Sequence, residues 1–337
     1  DLYKKQFLVC EDRYVEEAID KFIATDGEVL TDLPPEVSSL RAQLRILFPW
    51  LFRPLEGIEF KHGPGAVAEK VDSVSKWDFP TVPIGFYDLF DGIVVRQHYS
   101  DFISDPPLEA DSPARLVAVP KTATKPRLIS IEPVTTQYLQ QGIHSSLKYN
   151  LSRDWRTNYS VQEPNQELAR IGSIESNWAT IDLSEASDRV SWSLVSELFK
   201  GTALSPYLHV LRTRTVSIDG RGELSLRKFA SMGSALTFPI QIMVFACIAA
   251  EAITRSGEKV GRRSFRVYGD DIIVPNHTAG LTMELLEYFG LKVNTSKSFD
   301  TGKFRESCGA DWYDGLNVTP VYSRRPAVSR PTSDGAD

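Results

Sequence analysis

The sequence has little cysteine and no surplus of positive charge. Its 337 residues include three cysteines, Cys10, Cys247 and Cys308, which are odd in number and scattered along the chain. This usage argues against a disulfide framework or a cysteine-based zinc site and favours a reducing compartment. The formal net charge is −6, so no overall positive field attracts nucleic acid. Any contact with nucleic acid therefore has to depend on local basic patches.

Long hydrophobic runs, internal repeats and low-complexity tracts are also lacking. The longest apolar stretch, residues 236–250, is interrupted by Thr237, Pro239 and Gln241. It falls short of the roughly 20 residues that a membrane-spanning helix needs. We therefore predict no membrane association, and a buried helix with Pro239 in its first turn.

The stretch "VYGDDIIVP", residues 267–275, sets two adjacent aspartates in an apolar β pattern. Gly269 and Asp270 between apolar runs are typical of a two-residue hairpin turn, and a solvated turn is one interpretation of the acid pair. The strands are too apolar for an exposed ribbon, however, and packed carboxylates repel each other unless a cation or hydrogen bonds compensate. The second interpretation is a Mg²⁺ site, because hard cations prefer oxygen ligands.

A second acidic segment, "WATIDLSEASDRVSWSLVSELFKG", provides possible partners for that pair. The pattern predicts a strand that ends at Asp182, then a helix with Ser184 as its N-cap and Asp188 in its first turn. Asp182 as a strand-end cap and Asp188 as a complement to the helix dipole are the simpler alternatives. Two such acidic strands side by side would hold two metal ions about 3.5–4 Å apart. Because neighbouring strand residues point to opposite faces, we expect Asp182 and Asp270 to be the primary ligands and Asp271 the weaker one.

Hydrophobic spacing outlines the remaining secondary structure. "RYVEEAIDKFI" and "SSLRAQLRILF" predict helices in residues 1–60, and residues 61–135 are rich in loops and strands. A helix is predicted over 136–152. From residue 178 the pattern indicates a strand, a helix, a loop, a helix, a hairpin and a helix.

Several blocks together resemble a known family. "DLSEASD", "SMGSALTFP" and "VYGDD", in this order, resemble motifs A, B and C of right-handed RNA-dependent RNA polymerases. "KHGPGAV", "PKTATKPRLISIEP", "NTSKSF" and "FRESCG" are similar to blocks of the replicase β subunits of positive-strand RNA bacteriophages, the Qβ-like leviviruses. The resemblance covers roughly residues 110–323. "YGDD" alone is a weak motif, whereas the ordered set is specific.

The resemblance implies an α+β right-hand polymerase fold, with an antiparallel-sheet palm backed by helices and fingers built from the N-terminal half. The implied divisions are an N-terminal helical region (1–60), fingers with a basic NTP-entry loop (61–175), a palm with an intervening finger insertion (176–300), and a palm–thumb border with a frayed C-terminus (301–337). Since little follows residue 323, the expectation is a fragment that lacks the thumb.

The same resemblance implies the catalytic residues. Asp182, Asp270 and Asp271 would bind two Mg²⁺ ions, with Mn²⁺ as a possible substitute. Lys297 would act as a general acid for pyrophosphate, although a lone lysine is more often merely solvated. Arg305 of "FRESCG" would contact an RNA phosphate.

Further residues are implied at the nucleotide. Those expected over the triphosphate are Lys121, Lys125 and Arg127, for which a solvated basic turn is the alternative. Asp188 would bind the ribose 2′-hydroxyl, which distinguishes RNA from DNA. The loop residues expected to support template and nucleotide are Ser231, Gly233 and Thr237, for which an ordinary helix-start loop is the alternative. Where an Asn often follows four residues after that Thr, this chain has Gln241, so the partner that completes the 2′-hydroxyl contact is open.

The implied function is RNA-templated RNA synthesis from NTPs, which replicates a phage RNA genome in the cytoplasm of a bacterial host. The implied partners are template and product RNA and, by resemblance only, the host translation elongation factors Tu and Ts. The alternatives are a reverse transcriptase, a narna-like viral RNA polymerase and an inactive RNA-binding scaffold module. Asp188 argues against the first, "FRESCG" and "KHGPG" against the second, and the full set of carboxylates against the third.

Overall fold

The structure, a computed structural model, describes residues 11–90, 108–121 and 124–321. Its helices are α1 Asp12–Gly27, α2 Val37–Leu47, α3 Phe86–Leu89, α4 Val134–Leu151, α5 Glu163–Glu175, α6 Ala186–Arg189, α7 Trp192–Leu198, α8 Ser205–Leu211, α9 Thr237–Arg255 and α10 Ala279–Tyr288. Its strands are β1 Thr81–Val82, β2 Leu108–Glu109, β3 Ala114–Pro120, β4 Pro126–Ile131, β5 Trp178–Ile181, β6 Thr215–Ile218, β7 Gly222–Ser225, β8 Arg266–Tyr268, β9 Asp271–Pro275, β10 Phe304–Ser307, β11 Ala310–Tyr313 and β12 Leu316–Asn317. The frayed end predicted within 301–337 falls on residues 322–337, which lie outside the described residues.

Helices and mostly antiparallel sheets are mixed along the chain, which agrees with the predicted α+β class. The strand orders are β4-β3-β6-β7, β5-β9-β8, β10-β11-β12 and β1-β2. Only the β1–β2 and β3–β6 pairs among these strands are parallel. The predicted helices near residues 12–27, 37–47 and 134–151 are confirmed.

Helix α9 is the centre of the main hydrophobic core. By length and composition it could cross a membrane, but nearly all of it is buried inside the fold, as a core helix is. Pro239 lies in its first turn, where its missing N–H removes no helical hydrogen bond. The prediction of a buried helix is therefore confirmed.

The three-stranded sheet β5-β9-β8 contains the acidic hairpin. Tyr268 pairs with Asp271 across a two-residue turn made of Gly269 and Asp270. Gly269 has φ +63°, and a Cβ there would lie 2.6 Å from the ring of Phe238. Glycine is required on both counts, because L side chains rarely adopt this conformation and the ring leaves no space.

The four-stranded sheet positions the basic segment. Strands β3 and β4 form a hairpin with Pro120 opposite Pro126, so Lys121 and Lys125 lie at its tip. A smaller core behind the sheet joins Leu116 and Val216 to Phe22 of α1. Helix α1 therefore packs directly on the sheet that contains the basic hairpin.

The helix after Asp182 differs from the prediction. Ser184 does not cap it: α6 begins after Glu185, which has φ +50°, and ends at Arg189. The next helix, α7, is capped by Ser191, whose hydroxyl accepts the Leu194 N–H at 2.9 Å. The break lies at Val190, whose backbone is extended. Its carbonyl accepts the N–H of Phe229 at 2.7 Å and therefore does not continue the helix.

Candidate active site

Strand pairing brings the acidic residues of two distant segments to one end of the β5-β9-β8 sheet. Ile181, the last residue of β5, pairs with Ile272 of β9. Asp182 therefore follows β5 at the level where Asp271 begins β9, and Asp270 occupies the adjoining turn. Asp270 is exposed, whereas Asp182 and Asp271 are half-buried.

Burial and mutual repulsion disfavour the charged forms of two of these carboxylates. Burial raises the pKa of Asp182 above its ordinary value, and the charge of Asp270 adds to the rise, while the Asn294 amide donates to Oδ2 at 2.7 Å and opposes it. Burial also raises the pKa of Asp271 to about 7, with smaller contributions from Asp270 and Asp182. The Cys308 N–H, 3.1 Å from Asp271 Oδ1, partly offsets that rise.

The chemistry of this donor set suits a hard divalent cation. Three carboxylates repel one another, and a cation among them would relieve that repulsion. Within residues 11–90, 108–121 and 124–321, however, no three His, Cys, Asp or Glu side chains are gathered closely enough to hold a metal ion. The positions therefore fit a cation, and the side chains would have to rotate towards it.

Two of the predicted cationic residues lie within electrostatic reach of this end of the sheet. The charges of Lys297 and Lys121 both lower the pKa of Asp182. Lys297 is exposed, in a turn closed by its own N–H on the Asn294 carbonyl at 3.0 Å. Lys125 and Arg127 are exposed at the start of β4. The structure thus brings Lys121 and Lys297 to the same acidic centre.

Glu306 is a neighbour of this centre that the sequence interpretation missed. Burial raises its pKa, the charge of Lys297 lowers it, and the charge of Asp182 raises it. Glu306 also raises the pKa of Asp271. The signal in the sequence was the alternation of "FRES" in β10, where Arg305 and Ser307 are buried and Glu306 faces the other side of the strand.

Asp188 has a specific partner. Its Oδ1 accepts a hydrogen bond from Lys228 Nζ at 2.9 Å, and the Lys228 side chain is fully buried. Gln241 stands where an Asn is often found in similar polymerases and was considered as a partner for Asp188. It is instead buried in α9 beside Gly269. The partner of Asp188 is therefore Lys228.

The loop before α9 lies against strand β4. The Thr237 hydroxyl donates to the Ser231 carbonyl at 2.7 Å, and the Ser130 N–H donates to the Met232 carbonyl at 2.8 Å. Gly233 has φ +124°, and a Cβ there would lie 2.0 Å from the Ser130 carbonyl oxygen. The loop can pass this close to the strand because residue 233 is glycine.

Gly233→Ala is expected to displace this loop from β4. The backbone atoms that the new methyl would meet cannot move aside, so we expect a loss of stability of about 2–4 kcal/mol in urea unfolding. Gly220→Ala is the matched control, since Gly220 also has positive φ but no atom lies within 4 Å of its Cβ position. If Gly233→Ala is no more destabilising than the control, the close approach is not a constraint.

Arg305 contradicts the prediction of an RNA phosphate contact. Its side chain is fully buried, and its guanidinium donates to the Trp178 carbonyl at 2.7 Å and the Phe304 carbonyl at 2.7 Å. Two further bonds reach the carbonyls of Thr301 and Gly302 at 3.1 Å. The arginine therefore joins β10 to β5, and its Nη2, which has no hydrogen-bond partner among the described residues, is buried away from solvent and RNA.

Comparison with known families agrees with the motif order. A family model described as RNA replicase, beta-chain, matches residues 91–332. This chain belongs to the RNA replicase beta-chain family. The match includes every candidate residue described above.

Individual members of the replicase beta-chain family match over a similar region. The chain is 38% identical over 212 residues, 63% of its length, to the RNA-directed RNA polymerase subunit beta of Enterobacteria phage SP. It is 37% identical over 218 residues, 64% of its length, to the RNA-directed RNA polymerase subunit beta of Escherichia virus Qbeta. Each match covers 36% of the relative's own length.

A solved structure identifies the fold. The RNA-dependent RNA polymerase of a human picorbirnavirus superposes with a TM-score of 0.50 at 13% identity, covering 93% of this chain and 72% of that chain. The fold of this replicase-family chain is therefore that of a viral RNA-dependent RNA polymerase.

Proposed function

We propose that this chain carries the catalytic centre of an RNA-directed RNA polymerase that copies a phage RNA genome from ribonucleoside triphosphates. The observation that carries the proposal is the convergence of Asp182, Asp270 and Asp271 within electrostatic reach of Lys121 and Lys297. Membership in the replicase family supports it. In this proposal the β5-β9-β8 sheet is the palm, and residues 61–175 contribute the fingers.

Asp182, Asp270 and Asp271 would hold two Mg²⁺ ions, for which Mn²⁺ can substitute. Bound divalent cations would activate the attacking 3′-hydroxyl and neutralise charge on the reacting phosphates. Asp182 keeps its orientation through the Asn294 amide, and Asp271 through the Cys308 N–H. These bonds orient the two carboxylates in the present structure, and all three side chains, Asp270 in its exposed turn included, would rotate towards a bound cation.

The remaining residues would bind and orient the nucleotide. Lys121, Lys125 and Arg127 would contact the triphosphate, because forked guanidinium and compact ammonium groups both suit phosphate oxygens. Lys297 would donate a proton to the departing pyrophosphate. Asp188 would accept a hydrogen bond from the ribose 2′-hydroxyl.

The loop before α9 would support template and nucleotide. Ser231, Gly233 and Thr237 lie between the basic hairpin's strand β4 and the core helix α9. The Ser231 hydroxyl is buried without a hydrogen-bond partner in the structure. A small movement of the loop would let it bind a nucleotide or template group.

The partners proposed are template and product RNA, NTPs and, by resemblance, the host elongation factors Tu and Ts, all in the bacterial cytoplasm and without a membrane. The relatives are named as beta subunits, which supports work within a complex. Affinity purification of the tagged replicase from host lysate, followed by mass spectrometry, tests the two elongation factors by name. Their absence at stoichiometric levels would reject them.

Extension of an RNA primer on an RNA template tests the function itself. The protein is expected to extend with ribonucleotides and to use deoxyribonucleotides poorly. Preferential DNA synthesis would indicate a reverse transcriptase, and RNA binding without any extension would indicate an inactive scaffold. Both results would reject the proposal.

Lys121→Ala and Arg127→Ala are each expected to raise the KM for NTP by roughly tenfold, because each removes a charge-assisted contact to phosphate. The slope of RNA binding against salt concentration should also become shallower. Arg153→Ala is the control, since Arg153 is a surface arginine 4.0 Å from the ring of Tyr149. An unchanged KM for NTP in both variants would show that the basic hairpin does not bind the triphosphate and is a solvated turn.

Metal affinity is expected to fall below neutral pH. The pKa of Asp271 is about 7, so this carboxyl is increasingly protonated as the pH falls through 7, and a cation must displace that proton. Titration with Mn²⁺ between pH 6 and 8 should show binding that tightens as the pH rises, and a proton release per ion that is largest at pH 6 and falls towards pH 8. Binding independent of pH would contradict the part assigned to Asp271.

A further inference from the structure

Lys228 is a buried cation outside the acidic centre. Its side chain is fully buried, and its Nζ lies 2.9 Å from Asp188 Oδ1 and 3.3 Å from the centroid of the Phe22 ring. Burial lowers the pKa of Lys228, and the charge of Asp188 opposes that effect. A buried ammonium is retained only where a carboxylate or an aromatic face compensates, and here both do.

Helix α1 holds this arrangement from outside the motif blocks. The Asp26 carboxylate, itself buried, accepts the backbone N–H of Lys228 at 3.1 Å and that of Arg227 at 2.9 Å. Arg189, next to Asp188, bridges to Glu28 just beyond α1 at 3.0 Å. The helix is thus bonded both to the lysine and to the segment that contains Asp188.

We propose that Lys228, held by Phe22 and Asp26, is a positioning residue that selects ribonucleotides through Asp188. This inference rests on the function proposed above. Lys228 occupies Oδ1 of Asp188, so Oδ2 remains to accept from a ligand, and the Asp188 side chain is 26% exposed. An ionised carboxylate only accepts hydrogen bonds, so it complements a 2′-hydroxyl and gains nothing from a deoxyribose.

The chemistry of the site explains why a lysine stands here. In this chain Gln241 is buried beside Gly269, so no amide from α9 orients Asp188. Without the Lys228 ammonium, the Asp188 side chain would be free to change rotamer. The substrate whose recognition depends on Lys228 is therefore the sugar of the incoming nucleotide, not its triphosphate.

The test compares sugar selection in Lys228→Met and in a matched control, both made in the otherwise unchanged protein. Lys228→Met is expected to lower the ratio of kcat/KM for an NTP over its 2′-deoxy analogue by roughly tenfold or more. Arg221→Met is the control: Arg221 also binds α1, through Glu16 and Asp20, but has no contact with Asp188. Its ratio should stay within about threefold of the wild-type value.

A double-mutant cycle with Asp188→Ala separates positioning from general loosening. If Lys228 acts through Asp188, Lys228→Met causes no further change in the sugar ratio once Asp188 is alanine. An additive effect, or an equal loss in Arg221→Met, would overturn the inference. If Lys228→Met does not fold, Phe22→Leu is the second variant. We expect a smaller fall in the same ratio of kcat/KM values. An unchanged ratio in Phe22→Leu would count against the proposal.

Equilibrium binding of ATP and 2′-deoxyATP keeps this inference separable from the proposed function. If the wild-type replicase makes no RNA, the proposed polymerase activity fails. In that case the inference is still tested by whether the wild-type protein binds ATP more tightly than 2′-deoxyATP and whether Lys228→Met loses this preference. Equal binding of the two nucleotides by the wild-type protein would overturn it.

Discussion

Asp270→Asn is expected to abolish nucleotide addition, by roughly a thousandfold or more, while leaving the fold intact. The substitution removes a negative charge from the centre that would hold the divalent cations, and loss of such a ligand removes about 4 kcal/mol or more of transition-state stabilisation. The fold should survive because Asp270 is exposed in a two-residue turn. Single-turnover extension rates and a urea unfolding curve measure the two effects separately.

Asp219→Asn is the matched control for this prediction. Asp219 is an exposed aspartate in the turn between β6 and β7, the counterpart of Asp270 in a hairpin of another sheet. Its replacement should change neither the rate nor the stability. Near-normal turnover in Asp270→Asn, or an equal loss of extension rate in Asp219→Asn, would show that Asp270 has no catalytic role.

Arg305→Met is expected to destabilise the fold by about 3–5 kcal/mol. The guanidinium is fully buried and donates to the carbonyls of Trp178, Thr301, Gly302 and Phe304. Methionine fills much of the volume but leaves those acceptors unsatisfied. Because β10 also contributes Glu306 and leads to Cys308 beside Asp271, activity should fall together with stability.

Arg170→Met is the control for the buried arginine. Arg170 lies on α5 in an exposed ion pair with Glu167, and such pairs contribute at most about 1 kcal/mol. Urea unfolding should therefore separate the two variants clearly. If Arg305→Met left the stability unchanged and weakened RNA binding, the result would instead support the RNA phosphate contact that the sequence predicted.

The acidic hairpin and the strand before Asp182 were predictable because their signals are local. Gly269 and Asp270 between β-branched residues specify a tight turn, and a strand that ends at Asp182 needs only the alternation of "WATI". The long apolar run around Phe245 was likewise readable as a buried helix. Each feature depends on neighbours within about ten residues.

The partners of Asp188 and Arg305 were not predictable, because burial and long-range contacts decide them. Lys228 is 40 residues from Asp188 and in sequence resembles any solvated lysine. Arg305 beside a polymerase-like motif suggested phosphate, yet tertiary packing turned it towards four carbonyls. The helix break at Val190 has the same origin, since its carbonyl is used by Phe229.

Anomalous diffraction from the replicase crystallised with Mn²⁺, an RNA primer–template and an NTP tests the central claim most directly. We predict Mn²⁺ peaks within coordination distance of carboxylate oxygens of Asp182 and Asp270, as expected for ions that replace Mg²⁺, with Asp271 at or next to the same ions. The NTP triphosphate should lie between these ions and Lys121. An ordered NTP in a crystal whose Mn²⁺ peaks all lie away from these three aspartates would contradict the account.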